Sequence, residues 1–213
     1  MSQSINAPQI FLVQRENIAE LLRYQVWADA QLRRHLGRVK HCVEMTRLGR
    51  MTPAGARERL AIIARSMHAA VREFSRIAHA LFDPASQYSH IRSTHAVPVP
   101  HGAFDAQPRR SWKEWQWKST HPPAGCLAFN VEEWNEQRAV ADLWVQRNVH
   151  RALAVRATGE YLALRMDGLD RAGAMTEELL GQLKFSSDDF WANFNLAECA
   201  GVRRENVVEF VAV

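Results

Sequence analysis

Two apolar stripes at helical spacing constrain this chain more than any motif in it. Ile18, Leu21, Leu22, Val26, Ala28, Leu32 and Leu36 fall within one broad band at 100° per residue. That band predicts a helix over residues 14–38 with the stripe turned to the core. Leu60, Ile63, Met67, Val71, Phe74, Ala78 and Leu81 form a second stripe. Thr52-Pro53 supplies its helix with a cap followed by proline at the first helical position, and Asp83-Pro84 ends it. Gly37, Gly49 and Gly55 mark a broken stretch between the two. The expectation is a long helical hairpin over residues 1–83. A chain of 213 residues, 47% of them hydrophobic, can give such helices a real core.

Opposite the first stripe lie Arg23, Tyr24, Trp27, Arg34 and Arg38. Aromatic and Arg side chains dominate interface energetics, so Trp27 and Arg34 mark a docking face for a protein or nucleic acid, or a face that another element covers. On the second helix His68 and His79 share a flank with Arg65, Arg72 and Arg76.

Residues 84–125 change character. Six of the eight prolines fall there, and Pro98-Val99-Pro100 favours extended backbone, so an irregular connection is expected rather than helix. Trp112, Trp115 and Trp117 sit among Lys113, Glu114 and Lys118. Such a segment either stacks on the bases of a single strand or pins the connection to the core by burying large apolar rings. His90, His95, His101 and His121 lack the short regular spacing of a zinc site.

The region 126–213 reads as mixed. Asn130 and Glu133 fit the cap and return acceptor of a short helix through Trp134. Thr158-Gly159 between apolar alternations suggests a β-hairpin, with Leu153 and Val155 facing Leu162 and Leu164; a helix broken at Gly159 is the alternative. Thr176 opens a helix running to about Lys184, and Ser187, Asp188 and Asp189 cap the next. The fold class expected is α+β and helix-rich, with all-α as the alternative. The regions 1–83, 84–125 and 126–213 form either separate parts or one compact domain.

Charge divides the chain. Residues 1–125 carry 18 basic and 9 acidic side chains, net +9, and residues 126–213 carry 9 and 14, net −5. This asymmetry marks a nucleic-acid surface, or two halves that attract each other or a neighbouring copy, or simply solvated helix faces. Arg makes up 23 of the 27 basic residues, which favours forked contacts to phosphate or carboxylate unless it reflects coding bias. Cys42, Cys126 and Cys199 are too few and too scattered for a disulfide framework. No leader pattern opens the chain, and no apolar run approaches the roughly 18 residues of a membrane span. A cytoplasmic protein with reduced thiols and no membrane contact is the expectation.

Near the C-terminus, Ala197, Gly201, Val202, Val207 and Phe210 are spaced so that residues 196–210 resemble a helix-turn-helix. A small residue sits where two helices touch, and a glycine where the turn needs φ > 0. The resemblance implies duplex DNA contacts through Arg203, Arg204 and Asn206 at the start of the second helix. Val207, Val208, Phe210, Val211 and Val213 would equally suit a terminal strand. A further resemblance is carried by Leu21 to Leu36 (LLRYQVWADAQLRRHL) and the following helix with His68. It is to the opening helices of DinB-like four-helix proteins, and it implies a metal held by three histidines and, in some members, thiol transfer. The family's later His-x-x-x-His pair does not occur here, where His150 stands alone in its region. No metal, cofactor or catalytic residue is assigned, and no G-x-S-x-G, P-loop, G-x-G-x-x-G or H-E-x-x-H motif is present. The sequence therefore suggests a DNA-binding regulator. The alternative is a non-enzymatic interaction, inhibitor or assembly protein, contacting a partner or its own copy through Trp27, Arg34, Trp112, Trp115 and Trp117. A metal-dependent DinB-like enzyme is third.

Overall fold

The computed structural model describes residues 10–82, 96–98, 125–164 and 168–211. Strand β1 (Ile10–Gln14) leads into α1 (Arg15–Arg47) and α2 (Pro53–Phe82). Strands β2 (Ala96–Pro98) and β3 (Cys126–Asn130) precede α3 (Val131–Leu164) and α4 (Gly168–Asn193). The short α5 (Leu196–Cys199) and α6 (Arg204–Val211) complete the described chain. The fold is helix-rich, with one small antiparallel sheet in the order β2-β1-β3.

Both apolar stripes are buried as expected. Ile18, Leu21, Leu22, Leu32, Leu36, Leu60, Met67, Val71 and Phe74 are all at 0% exposure. Burying one such side chain contributes about 1.5–3 kcal/mol. That is why α1 runs straight through Gly37, where a break was expected: the roughly 1 kcal/mol that a glycine costs inside a helix is small beside the stripe. At the start of α2 the Gly55 N–H donates to Thr52 Oγ1 at 3.1 Å, the cap anticipated there.

The four long helices form an up-and-down bundle in which each packs on two neighbours. Phe82 meets Trp134, Phe74 meets Trp144, and Leu60 meets Gly159, so α3 runs antiparallel to α2. Trp191 donates its indole N–H to Gln25 Oε1 at 2.9 Å, and Lys40 pairs with Glu177, so α4 closes antiparallel on α1. The sheet plugs one end. Phe11 and Phe129 stack on Trp134 with centroids 5.4 and 5.7 Å away, and Phe82 closes on the same ring at 4.8 Å.

Two readings are corrected here. Residues 152–166 hold no hairpin among the described positions: Gly159 lies inside the 34-residue α3. A Cβ there would stand 3.1 Å from Leu60 Cβ and 3.3 Å from Arg57 Cα, so the glycine permits close helix approach rather than a turn. Likewise α4 is one helix. Thr176 donates its hydroxyl back to the Ala172 carbonyl at 2.8 Å instead of capping a new start, and Ser187 is buried in mid-helix. The start of α3 is as expected, since Asn130 Oδ1 accepts from Glu133 N–H at 2.9 Å and Glu133 returns an acceptor to Asn130 N–H at 3.1 Å.

Candidate functional site

The helix-turn-helix-like segment folds as two helices, and residues 204–211 are helix rather than strand. Gly201 turns with φ +70°, and the Val202 N–H reaches the Ala197 carbonyl at 2.8 Å to close the bend. Leu196, Ala197 and Val207 are buried, with Val202 packed beside them, and α6 lies against α1. Leu196 N–H also donates to Gln137 Oε1 of α3 at 3.3 Å, which fixes the unit on the bundle.

The three residues singled out for DNA do not behave alike. Arg203 and Asn206 are exposed. Arg204 instead turns inward to α4, donating to Asp188 Oδ1 at 2.6 Å and Ser187 Oγ at 2.8 Å. That hydrogen bond holds the Asp188 carboxyl below its ordinary range. Glu198 and Glu205 are exposed beside them, so the unit presents carboxylates as well as Arg203.

Behind Arg204 lies a buried polar seam. Asp29 is 6% exposed, and Arg33 Nε donates to its Oδ2 at 3.0 Å. Burial raises the Asp29 carboxyl above its ordinary range, and Arg33 and Arg204 offset part of that rise. His35, buried on the same helix with Nδ1 unpartnered, is pushed down by burial and by Arg38 and Arg34.

A surface groove runs between α3 and α4. One stretch, about 350 Å³, lies between Leu143 and Asn193, and a wider one of about 620 Å³ lies between His150 and Phe185. Arg147 and Ser186 line both stretches. Arg147 is ion-paired with Asp189. Arg151, only 6% exposed, donates to Asn148 Oδ1 at 2.8 Å and to the Gln182 carbonyl at 2.7 Å, while its Nε has no partner. Burial and the neighbouring Arg147 lower its pKa. Ser186 Oγ is buried and unpartnered too. Apolar side chains stand in water along the same two helices: Leu143 at 43%, Leu153 at 57%, Leu164 at 82% and Phe185 at 71% exposure.

The other anticipated residues lie elsewhere. Trp27 is half-buried against the core with Tyr24 edge-on to it, and Arg34 is exposed. Trp112, Trp115 and Trp117 fall outside the described residues. His68 is exposed and lines a groove of about 310 Å³ between α2 and α3, with Arg65, Leu153 and Arg156. Among the described residues no three His, Cys, Asp or Glu come together to hold a metal, and no helix is long and apolar enough to cross a membrane.

Sequence reasoning missed the α3–α4 face because the hairpin reading split α3. Read as one helix, its apolar residues spread around the whole circumference, which is the signal of a helix covered on more than its core side. Comparison with known proteins finds no matching family model, no similar curated protein and no similar solved structure.

Proposed function

We propose that this chain is a non-enzymatic interaction protein that docks a protein partner along the outer face of α3 and α4. The observation that carries this reading is the set Leu143, Leu153, Leu164 and Phe185, all on two adjacent helices and all more than two-fifths exposed. Single exposed apolar side chains are ordinary, but Leu143 and Phe185 both line the α3–α4 groove, and Leu153, on the neighbouring α2–α3 groove, and Leu164 extend the apolar surface along α3. The test places a photo-cross-linking residue at position 185, then identifies and purifies the captured protein. Its Kd rises by at least about tenfold in Leu143→Ala/Phe185→Ala and stays unchanged in Arg72→Ala on α2. Equal effects from both variants remove the reading.

A second reading, duplex DNA binding by α5 and α6, is supported by the Gly201 turn and by the exposure of Arg203 and Asn206. Its variant is Arg203→Ala/Asn206→Ala, which leaves the Arg204 contacts intact. Binding to random duplex that weakens with salt and collapses in that variant supports it. Absence of binding at low salt ends it.

A further inference from the structure

The α3–α4 groove contains more positive than negative charge. Arg147 and Arg151 both line it, and among the described residues the one carboxylate lining it is Asp189, held by Arg147. Arg151 is balanced only by neutral acceptors, Asn148 Oδ1 and the Gln182 carbonyl. Asp29 acts on it through space but is already bonded to Arg33. A guanidinium buried without a bonded anion is costly; both terminal nitrogens of Arg151 are taken by these neutral acceptors and its Nε has no partner, so the positive charge itself is left uncompensated. Ser186 Oγ adds a buried hydroxyl with no partner at the same place. Leu143 lines the groove on one side of Arg147 and Phe185 on the other, so apolar surface flanks the charge at both ends.

Resting on the docking face proposed above, we infer that the groove receives a single acidic side chain of the partner, flanked by apolar residues. One carboxylate neutralises the local excess of one positive charge. A run of acidic residues finds no second uncompensated cation there, because Arg147 is already held by Asp189. A phosphate dianion overcompensates beside Asp189.

The probes are the capped tripeptides Ac-Leu-Glu-Leu-NH2, Ac-Leu-Gln-Leu-NH2 and Ac-Glu-Glu-Glu-NH2, together with inorganic phosphate. Titration is followed by the side-chain Nε–Hε signals of Arg147 and Arg151 in the full chain. The first peptide shifts these signals and binds at least about tenfold tighter than the Gln peptide, the step of one charge-assisted hydrogen bond. The triglutamate peptide and phosphate bind no tighter than Ac-Leu-Glu-Leu-NH2. Arg147→Ala weakens the first peptide, and Asp189→Asn, which frees Arg147, tightens it; both avoid altering the more deeply buried Arg151. Equal binding of the Glu and Gln peptides, or no response to either variant, overturns the inference. Tighter binding of phosphate or triglutamate overturns the single-carboxylate assignment. If the cross-linked partner loses affinity in Leu143→Ala/Phe185→Ala but not in Arg147→Ala, the docking face stands and the carboxylate pocket falls.

Discussion

Along α1 and α2 the outward side chains include Arg34, Arg38, Arg65 and Arg72, with Ile62 and the turn residue Leu48 as their large exposed apolar groups. Along α3 and α4 they include Leu143, Leu153, Leu164 and Phe185. Both pairs are antiparallel, and both give one face to the same core. The first pair ends its apolar pattern where the core ends; the second carries it out to solvent. The charge asymmetry follows the same division, and Lys40–Glu177 and Arg57–Glu160 bridge it. These exposed pairs are worth little in stability, so the asymmetry matters more for what each outer face meets than for holding the halves together.

The strongest break of this contrast is in the shared core. Trp144 is 2% exposed and packs edge-on against Phe74 of α2 and Phe190 of α4, with ring centroids 4.6 and 6.4 Å away. Trp144→Ala costs about 3–5 kcal/mol, read as a lowered midpoint of chemical denaturation seen alike by probes on either helix pair. Loss on the α3–α4 side alone would mean the pairs unfold separately. Next comes the α2–α3 contact: Gly159→Ala destabilises by about 1–3 kcal/mol through overpacking, despite alanine's better helix propensity. A stabilised Gly159→Ala variant would show that the helices stand further apart than this packing implies.

Asp29 sharpens the contrast through pH. Its folded pKa is raised, so the stability it contributes is present below the unfolded value of about 3.9 and is lost as pH rises through the folded value. Asp29→Asn therefore raises Tm relative to the parent chain near pH 7, and the difference closes as pH falls below the unfolded value. A difference that widens in acid contradicts burial as the dominant cause. The smallest effect on folding belongs to Leu153→Lys, within about 0.5 kcal/mol of the parent. Its consequence is on association, and unchanged partner binding would take Leu153 out of the docking face.

The two pairs were also unequally legible. A helix with one apolar face announces itself by period, so α1 and α2 could be read from Ile18 to Leu81 almost residue by residue. α3 has no such face, and Gly159 was read as a turn because a packing glycine and a turning glycine are the same residue until the neighbour, Leu60, is known. Thr176 and Ser187 misled for a related reason: a hydroxyl that caps a helix also satisfies a carbonyl or a guanidinium from within one. Asn130 and Glu133 were legible because their capping bonds are local. In the candidate site, the turn at Gly201 was readable from spacing; whether the residues from Val207 on made helix or strand was not, because β-branched side chains suit a strand as well. That Arg204 would be spent on Ser187 and Asp188 was not, since it depends on how α6 settles on the bundle. That Arg151 would be bonded to neutral acceptors alone was hidden for the same reason, because its condition depends on which acidic residues lie out of reach.

The hydrogen bond from Trp191 to Gln25 spans 166 positions of the chain. At a synthesis rate of about 5–20 residues per second, the flank of α1 that α4 and α6 cover waits on the order of ten seconds or more for its cover. During that time α1 has α2 as a neighbour, and Gln25 waits for Trp191. The order of synthesis thus leaves this flank of α1, formed early, among the last surfaces of the bundle to be covered on the ribosome.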